Sequence, residues 1–121
     1  MQRRAVGHSG LQVSRLGLGT LTWGRETRLE DARPLLRAFV GAGGSLVDTA
    51  AAYAAGDAER MLGRMLRAGD VERDDLVIAT KAGFVIRDGR RSIDTSRGAL
   101  LNDLEQSLRR LKTDHVDLWQ V

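Results

Sequence analysis

Four short apolar segments, opening near Leu16, Leu46, Leu76 and Val116, lie 30, 30 and 40 residues apart, and this spacing constrains the fold more than any other feature of the chain. A strand, its crossover helix and two short loops need about 30 residues, so the repeat predicts βα units and a parallel sheet. Helical patterns fill the intervals. Ala32, Leu35, Leu36, Phe39 and Val40 make the first, Ala58, Met61, Leu62, Met65 and Leu66 the second, and Leu100, Leu101, Leu104, Leu108 and Leu111 the third. Each follows the i, i+3, i+4 rule for one buried helix face. Methionine at that spacing reads as core filler, which assigns Met61 and Met65 to packing.

The second predicted strand is Ser45-Leu46-Val47-Asp48, the third Leu76-Val77-Ile78-Ala79-Thr80 and the fourth Val116-Asp117-Leu118-Trp119-Gln120-Val121. The third is continuously apolar, as expected of a parallel strand covered on both faces. Gly41, Gly43 and Gly44 stand where the first helix must stop and turn into the second strand. Pro34 costs little if that helix begins near Glu30 or Asp31, because it then falls in the first turn; an N-cap at Thr27 predicts a kink instead. Arg3 to Val6 and Leu11 to Val13, on either side of His8-Ser9-Gly10, predict a short β-hairpin before the repeat, serving as a lid or a plug. Arg87-Asp88-Gly89-Arg90-Arg91-Ser92 reads as a mobile polar loop.

At 121 residues, 42% of them hydrophobic and 29% charged, the chain has the size and balance of one small soluble globular domain. Its net charge of +3 is spread along the chain, which argues against a nucleic-acid partner, where a clustered basic face is expected. Without cysteine there is no disulfide framework, thiol nucleophile or zinc-thiolate site. No apolar run approaches the ~18 residues of a membrane span, and no signal-like stretch follows Met1. The expectation is a cytoplasmic protein with no membrane partner.

Chemistry concentrates at the ends of the second and third strands. Asp48, Tyr53 and Lys81 supply an acid, a phenol and an amine, and such groups collect at the C-terminal ends of parallel barrel strands. A free tyrosine titrates near pKa ~10, so giving up a proton near neutrality calls for a neighbouring ammonium that favours phenolate. Lys81 is the candidate ammonium, and Asp48 the carboxylate that keeps it charged and in place. A shift of two or three units needs roughly 3 to 4 kcal/mol, more than an exposed ion pair usually supplies, so the site is expected to be partly desolvated. Singly, each residue has an ordinary alternative as a loop cap, a packed ring or a surface amine. Their common position favours the joint reading.

Gly17-Leu18-Gly19-Thr20-Leu21-Thr22 begins like a dinucleotide fingerprint but lacks the small sixth residue and the helix that should open there. Close approach of a flat ligand to the backbone at Gly19 and Thr20 remains compatible with it. Trp23 either walls a substrate pocket or covers the barrel end, and Trp119 reads as packing. His8 and His115 fall at the opposite end of the strands from Lys81, unsuited to catalysis or to a shared metal.

In order and spacing, the chain resembles the aldo-keto reductase family. The resemblance rests on the run from Ser9 to Thr20, on Val47-Asp48-Thr49-Ala50, on Tyr53 with Gly56 and Glu59, and on Leu62-Gly63, Ile78-Ala79-Thr80-Lys81 and the run from Leu104 to Asp114. It implies the N-terminal half of a (β/α)8 barrel, residues 1–121 forming a single incomplete domain, in an enzyme that reduces small aldehydes or ketones with NADPH. By the same likeness Tyr53 is the proton donor, Lys81 and Asp48 lower its pKa, Trp23 and Tyr53 meet substrate, and Gly19, Thr20, Leu21 and Asp48 meet the cofactor. The family's histidine at the end of the fourth strand would fall just past Val121. A closed barrel takes ~250 residues, so two unpaired sheet edges are expected, with self-association or a second chain to complete them. Tyr53-Ala54-Ala55-Gly56 and the stretch from Gly17 to Trp23 also resemble the potassium-channel β-subunit branch, which implies as the alternative a non-catalytic regulatory or assembly module.

Overall fold

The structure, a computed structural model, describes residues 1–121 apart from Asp88 and the side chains of Val85 and Arg87. It begins with the expected hairpin, β1 (Arg3–Ala5) antiparallel to β2 (Gln12–Ser14). Ser14 fixes where the hairpin sits. Its buried hydroxyl accepts from the backbone N–H groups of Ser45 and Leu46 at 2.9 and 3.1 Å and donates to the Leu16 carbonyl at 2.6 Å. The hairpin therefore plugs the N-terminal end of the sheet, away from the strand ends that carry Asp48 and Lys81.

Strands β3 (Gly17–Gly19), β4 (Leu46–Asp48), β5 (Val77–Lys81) and β8 (Leu118–Gln120) run parallel in that order. Helices α1 (Leu29–Gly41), α2 (Asp57–Arg67) and α3 (Arg97–Leu111) make the crossovers. Side chains alternate across a strand with period two, so each strand has two different faces. Val47 of β4 and Ile78 of β5 join Ala32, Leu36, Ala58, Leu62, Met65 and Leu111 in one core beneath the helices. Asp48 and Lys81 take the other face, the interior side of the barrel wall, and stay partly open. Met61 and Met65 are buried in the core.

The first helix ends as its glycines require. Gly43 has φ +79°, its N–H donates to the Val40 carbonyl at 2.8 Å, and the N–H of Gly44 reaches back to Phe39 at 2.9 Å. These two bonds are those of a Schellman close, in which a glycine takes the left-handed residue. α2 carries Asp57 and Glu59 in its first turn and Arg64 and Arg67 in its last, a distribution that complements the helix dipole. Ser96 caps α3, accepting from the N–H of Ala99.

Four expectations need correction. The α1 N-cap is Arg28, so Pro34 is the sixth helical residue and lies in the second turn, not the first. Its missing N–H leaves the Glu30 carbonyl without its usual i+4 donor. Leu35 and Leu101 are exposed, because the apolar stripe of each helix is wider than the strip that meets a neighbour. β5 is buried on both faces only at its centre, Ile78 to Thr80, and its end residues Val77 and Lys81 are part-exposed. The polar segment after β5 is for most of its length an antiparallel pair, β6 (Phe84–Arg87) with β7 (Arg90–Ile93), and its Asp88 lies outside the described residues.

Candidate active site

The parallel register decides which side chains meet. Asp48 of β4 stands opposite Ala79 of β5, and Lys81 follows two residues later on the same face. The chain beyond β4 is drawn over β5 by the Thr49 N–H, which donates to the Ala79 carbonyl at 2.9 Å, and then turns so that the Tyr53 N–H donates to Ala50 at 3.1 Å. Tyr53–Gly56 is a short 3-10 segment interrupted by non-helical backbone at Ala54 and Ala55. Ala54 and Ala55 have φ +48° and +53°, followed by Gly56 at +91°. A side chain in left-handed conformation costs about 1–2 kcal/mol per residue, so two successive alanines there need outside support.

The turn delivers Tyr53 to Lys81. The ammonium of Lys81 donates to both carboxylate oxygens of Asp48 at 2.8 Å and to the Thr49 carbonyl at 2.9 Å, and it lies 3.1 Å from the phenolic oxygen of Tyr53. It also stands 4.8 Å from the centre of the Tyr53 ring. The side chains of Lys81 and Asp48 are 33% and 37% exposed, so the pair is partly withdrawn from water. All three predicted groups are thus in one cluster, and a cleft of about 380 Å³ opens on it.

The other sequence candidates separate. Leu21 is 56% exposed and lines that cleft. At Gly19 an added Cβ would meet nothing within 4 Å, so space lies over this backbone. Thr20 is fully buried, and its N–H and hydroxyl donate to the Asp48 carbonyl at 3.0 and 3.1 Å. Its side chain supports the strand carrying Asp48, with no surface free for a ligand. Trp23, 1% exposed, packs into the core, so of its two readings the structure takes the covering one and not the substrate wall. His8 lies in the turn between β1 and β2. His115, before β8, has its Nδ1 2.6 Å from Asp114 Oδ1, a hydrogen bond that holds the Asp114 carboxyl below its ordinary value.

Sequence reasoning missed part of the cleft wall. Phe84 and Arg91 reach it from the β6–β7 hairpin and Arg25 from the loop after β3. The Arg91 guanidinium lies 5.9 Å from the Phe84 ring centre. The available signal was the Asp88-Gly89 pair between two four-residue runs, a sequence typical of a two-residue hairpin turn, masked by its arginines.

Residues 15–121 match the aldo/keto reductase family. The chain belongs to this family. It is 32% identical to aldo-keto reductase YhdN of Bacillus subtilis, over all of this chain and 38% of that protein. It is 37% identical to a probable voltage-gated potassium channel subunit beta of Oryza sativa subsp. japonica, over 98% of this chain and 36% of that one. The holo form of an aldo-keto reductase from Bacillus halodurans superposes with a TM-score of 0.86 at 34% identity, over 99% of this chain and 39% of the neighbour. The chain thus spans well under half the length of these relatives, and its four-stranded sheet is the N-terminal half of their (β/α)8 barrel.

Proposed function

We propose that residues 1–121 are the N-terminal part, roughly the first four barrel strands, of an NADPH-dependent reductase that converts small aldehydes or ketones to alcohols, with Tyr53 as proton donor. The observation that carries this reading is the contact of the Lys81 ammonium with the Tyr53 oxygen at 3.1 Å while Asp48 holds it from behind at 2.8 Å. Bound NADPH would supply the hydride to the carbonyl carbon. Tyr53 gives its proton to the carbonyl oxygen, and the resulting phenolate is stabilised by the adjacent cation, which favours the ionised phenol. Asp48 keeps Lys81 charged and aimed. On the cofactor side, the open backbone at Gly19 and the exposed side chain of Leu21 suit a flat nicotinamide, with Asp48 beside them; Thr20 contributes by supporting Asp48. By itself the 121-residue chain is expected to be inactive.

The test is NADPH oxidation with a simple aldehyde by the complete protein. Tyr53→Phe is expected to lower the rate by about 10² to 10⁴, the usual contribution of a positioned acid. Full activity in that variant would exclude Tyr53 as the donor. A second reading, a non-catalytic regulatory or assembly module, is favoured by the 37% identity to the potassium channel subunit. A stable protein complex that forms without cofactor binding or turnover would support it.

A further inference from the structure

Glu59 is a charged side chain with 0% exposure, and the proton-transfer cluster does not use it directly. Its Oε1 accepts the hydroxyl of Thr80 at 2.6 Å, and its Oε2 accepts from Arg110 Nε at 2.6 Å. The three partners come from three elements. Glu59 is in the first turn of α2, directly after the strained turn that carries Tyr53; Thr80 immediately precedes Lys81 on β5; Arg110 is in the last turn of α3. Arg110 also donates to Ser107 Oγ at 3.2 Å, and its side chain lies so close to Gly56 that an added Cβ there would be 2.7 Å from its Cδ. One buried network therefore ties the end of the Tyr53 turn to the residue that sets Lys81 in place.

Removing a carboxylate from water is costly, and an apolar side chain would fill the same space without that cost. The left-handed Ala54 and Ala55 need a surrounding structure that overrides their preference. We infer that Glu59, bridging Thr80 and Arg110, is a positioning residue that clamps the strained Tyr53 turn onto β5 and so sets the contact between Tyr53 and Lys81. The inference rests on the proposed role of Tyr53 and Lys81 and concerns what holds them together.

Tyr53 is the single tyrosine of the 121 residues, and the absorbance change on its ionisation reports this site without turnover. The experiment is a spectrophotometric pH titration of the complete protein and of Lys81→Met, Glu59→Gln, Thr80→Val and Thr80→Ser, with the signal of any further tyrosines removed by subtracting that of Tyr53→Phe, each with circular dichroism and thermal unfolding. Lys81→Met is expected to raise the midpoint, because it removes the opposite charge that lies 3.1 Å from the phenolic oxygen. Glu59→Gln and Thr80→Val are expected to raise it less, with secondary structure retained, and Thr80→Ser, which keeps the hydroxyl, to restore the original midpoint. If Glu59→Gln prevents folding, Thr80→Val decides, because it leaves the Glu59–Arg110 pair intact. A midpoint that moves in Lys81→Met but not in a folded Glu59→Gln or Thr80→Val overturns the positioning role and leaves the site intact. An unmoved midpoint in Lys81→Met removes the underlying reading and the inference with it.

Discussion

Lys81 makes more contacts than an ammonium has protons: two oxygens of Asp48, the Thr49 carbonyl and the Tyr53 oxygen all lie within 3.1 Å. The Tyr53 contact is the longest of the four, so the cation is held mainly by Asp48 and the backbone and merely presented to the phenol. In the proposed mechanism Asp48 therefore acts by position. Its own negative charge opposes phenolate formation, and its benefit comes from where it places the ammonium. Asp48→Ala is expected to lower kcat of the complete protein by about 10²-fold, the effect of displacing a reacting group by an ångström. Unchanged kcat in steady-state kinetics with an aldehyde would mean that Thr49 alone positions Lys81. Tyr53 and Lys81 were legible in the sequence because the chain has one tyrosine and two lysines, and Asp48 because it closes the predicted strand just before Tyr53. The different duties of Thr20 and Trp23 were not, because burial depends on neighbours from distant segments.

At the scale of elements, α2 and α3 meet through a position without a side chain. A Cβ on Gly63 would collide with the backbone carbonyl of Arg110 and crowd that of Leu111. The glycine thus sets the closeness of the two helices, and with it the reach of Arg110 to Glu59. Gly63→Ala is expected to destabilise the chain by about 1–3 kcal/mol, as overpacking does, despite the better helix propensity of alanine. Chemical denaturation measures this, and a stabilised variant would show that the helices can part at no cost. The helices and parallel strands were legible from periodicity and from the 30-residue repeat. The β6–β7 hairpin was not, since Arg87, Arg90 and Arg91 look like loop residues until the pairing of Phe84 with Ile93 is seen.

For the molecule as a whole, the sheet order β3-β4-β5-β8 leaves β3 and β8 each with a neighbour on one side only among the described residues. Unpaired strand edges recruit other strands, and Leu16 and Val121 next to them are exposed. The 121-residue chain expressed alone is expected to self-associate or to bind a second chain that supplies the missing edges. A concentration-independent monomer in sedimentation analysis would contradict this. The sequence by itself determined the succession of βα units, the family and the three candidate groups, because these follow from local periodicity and from the order and spacing of short motifs. The tertiary structure decided the rest. Strand register brought Lys81 level with Asp48, helix packing buried Trp23 and Glu59, and the clamp between α2, β5 and α3 set two alanines into a conformation their own preferences oppose, since contact energies between distant segments outweigh the local cost.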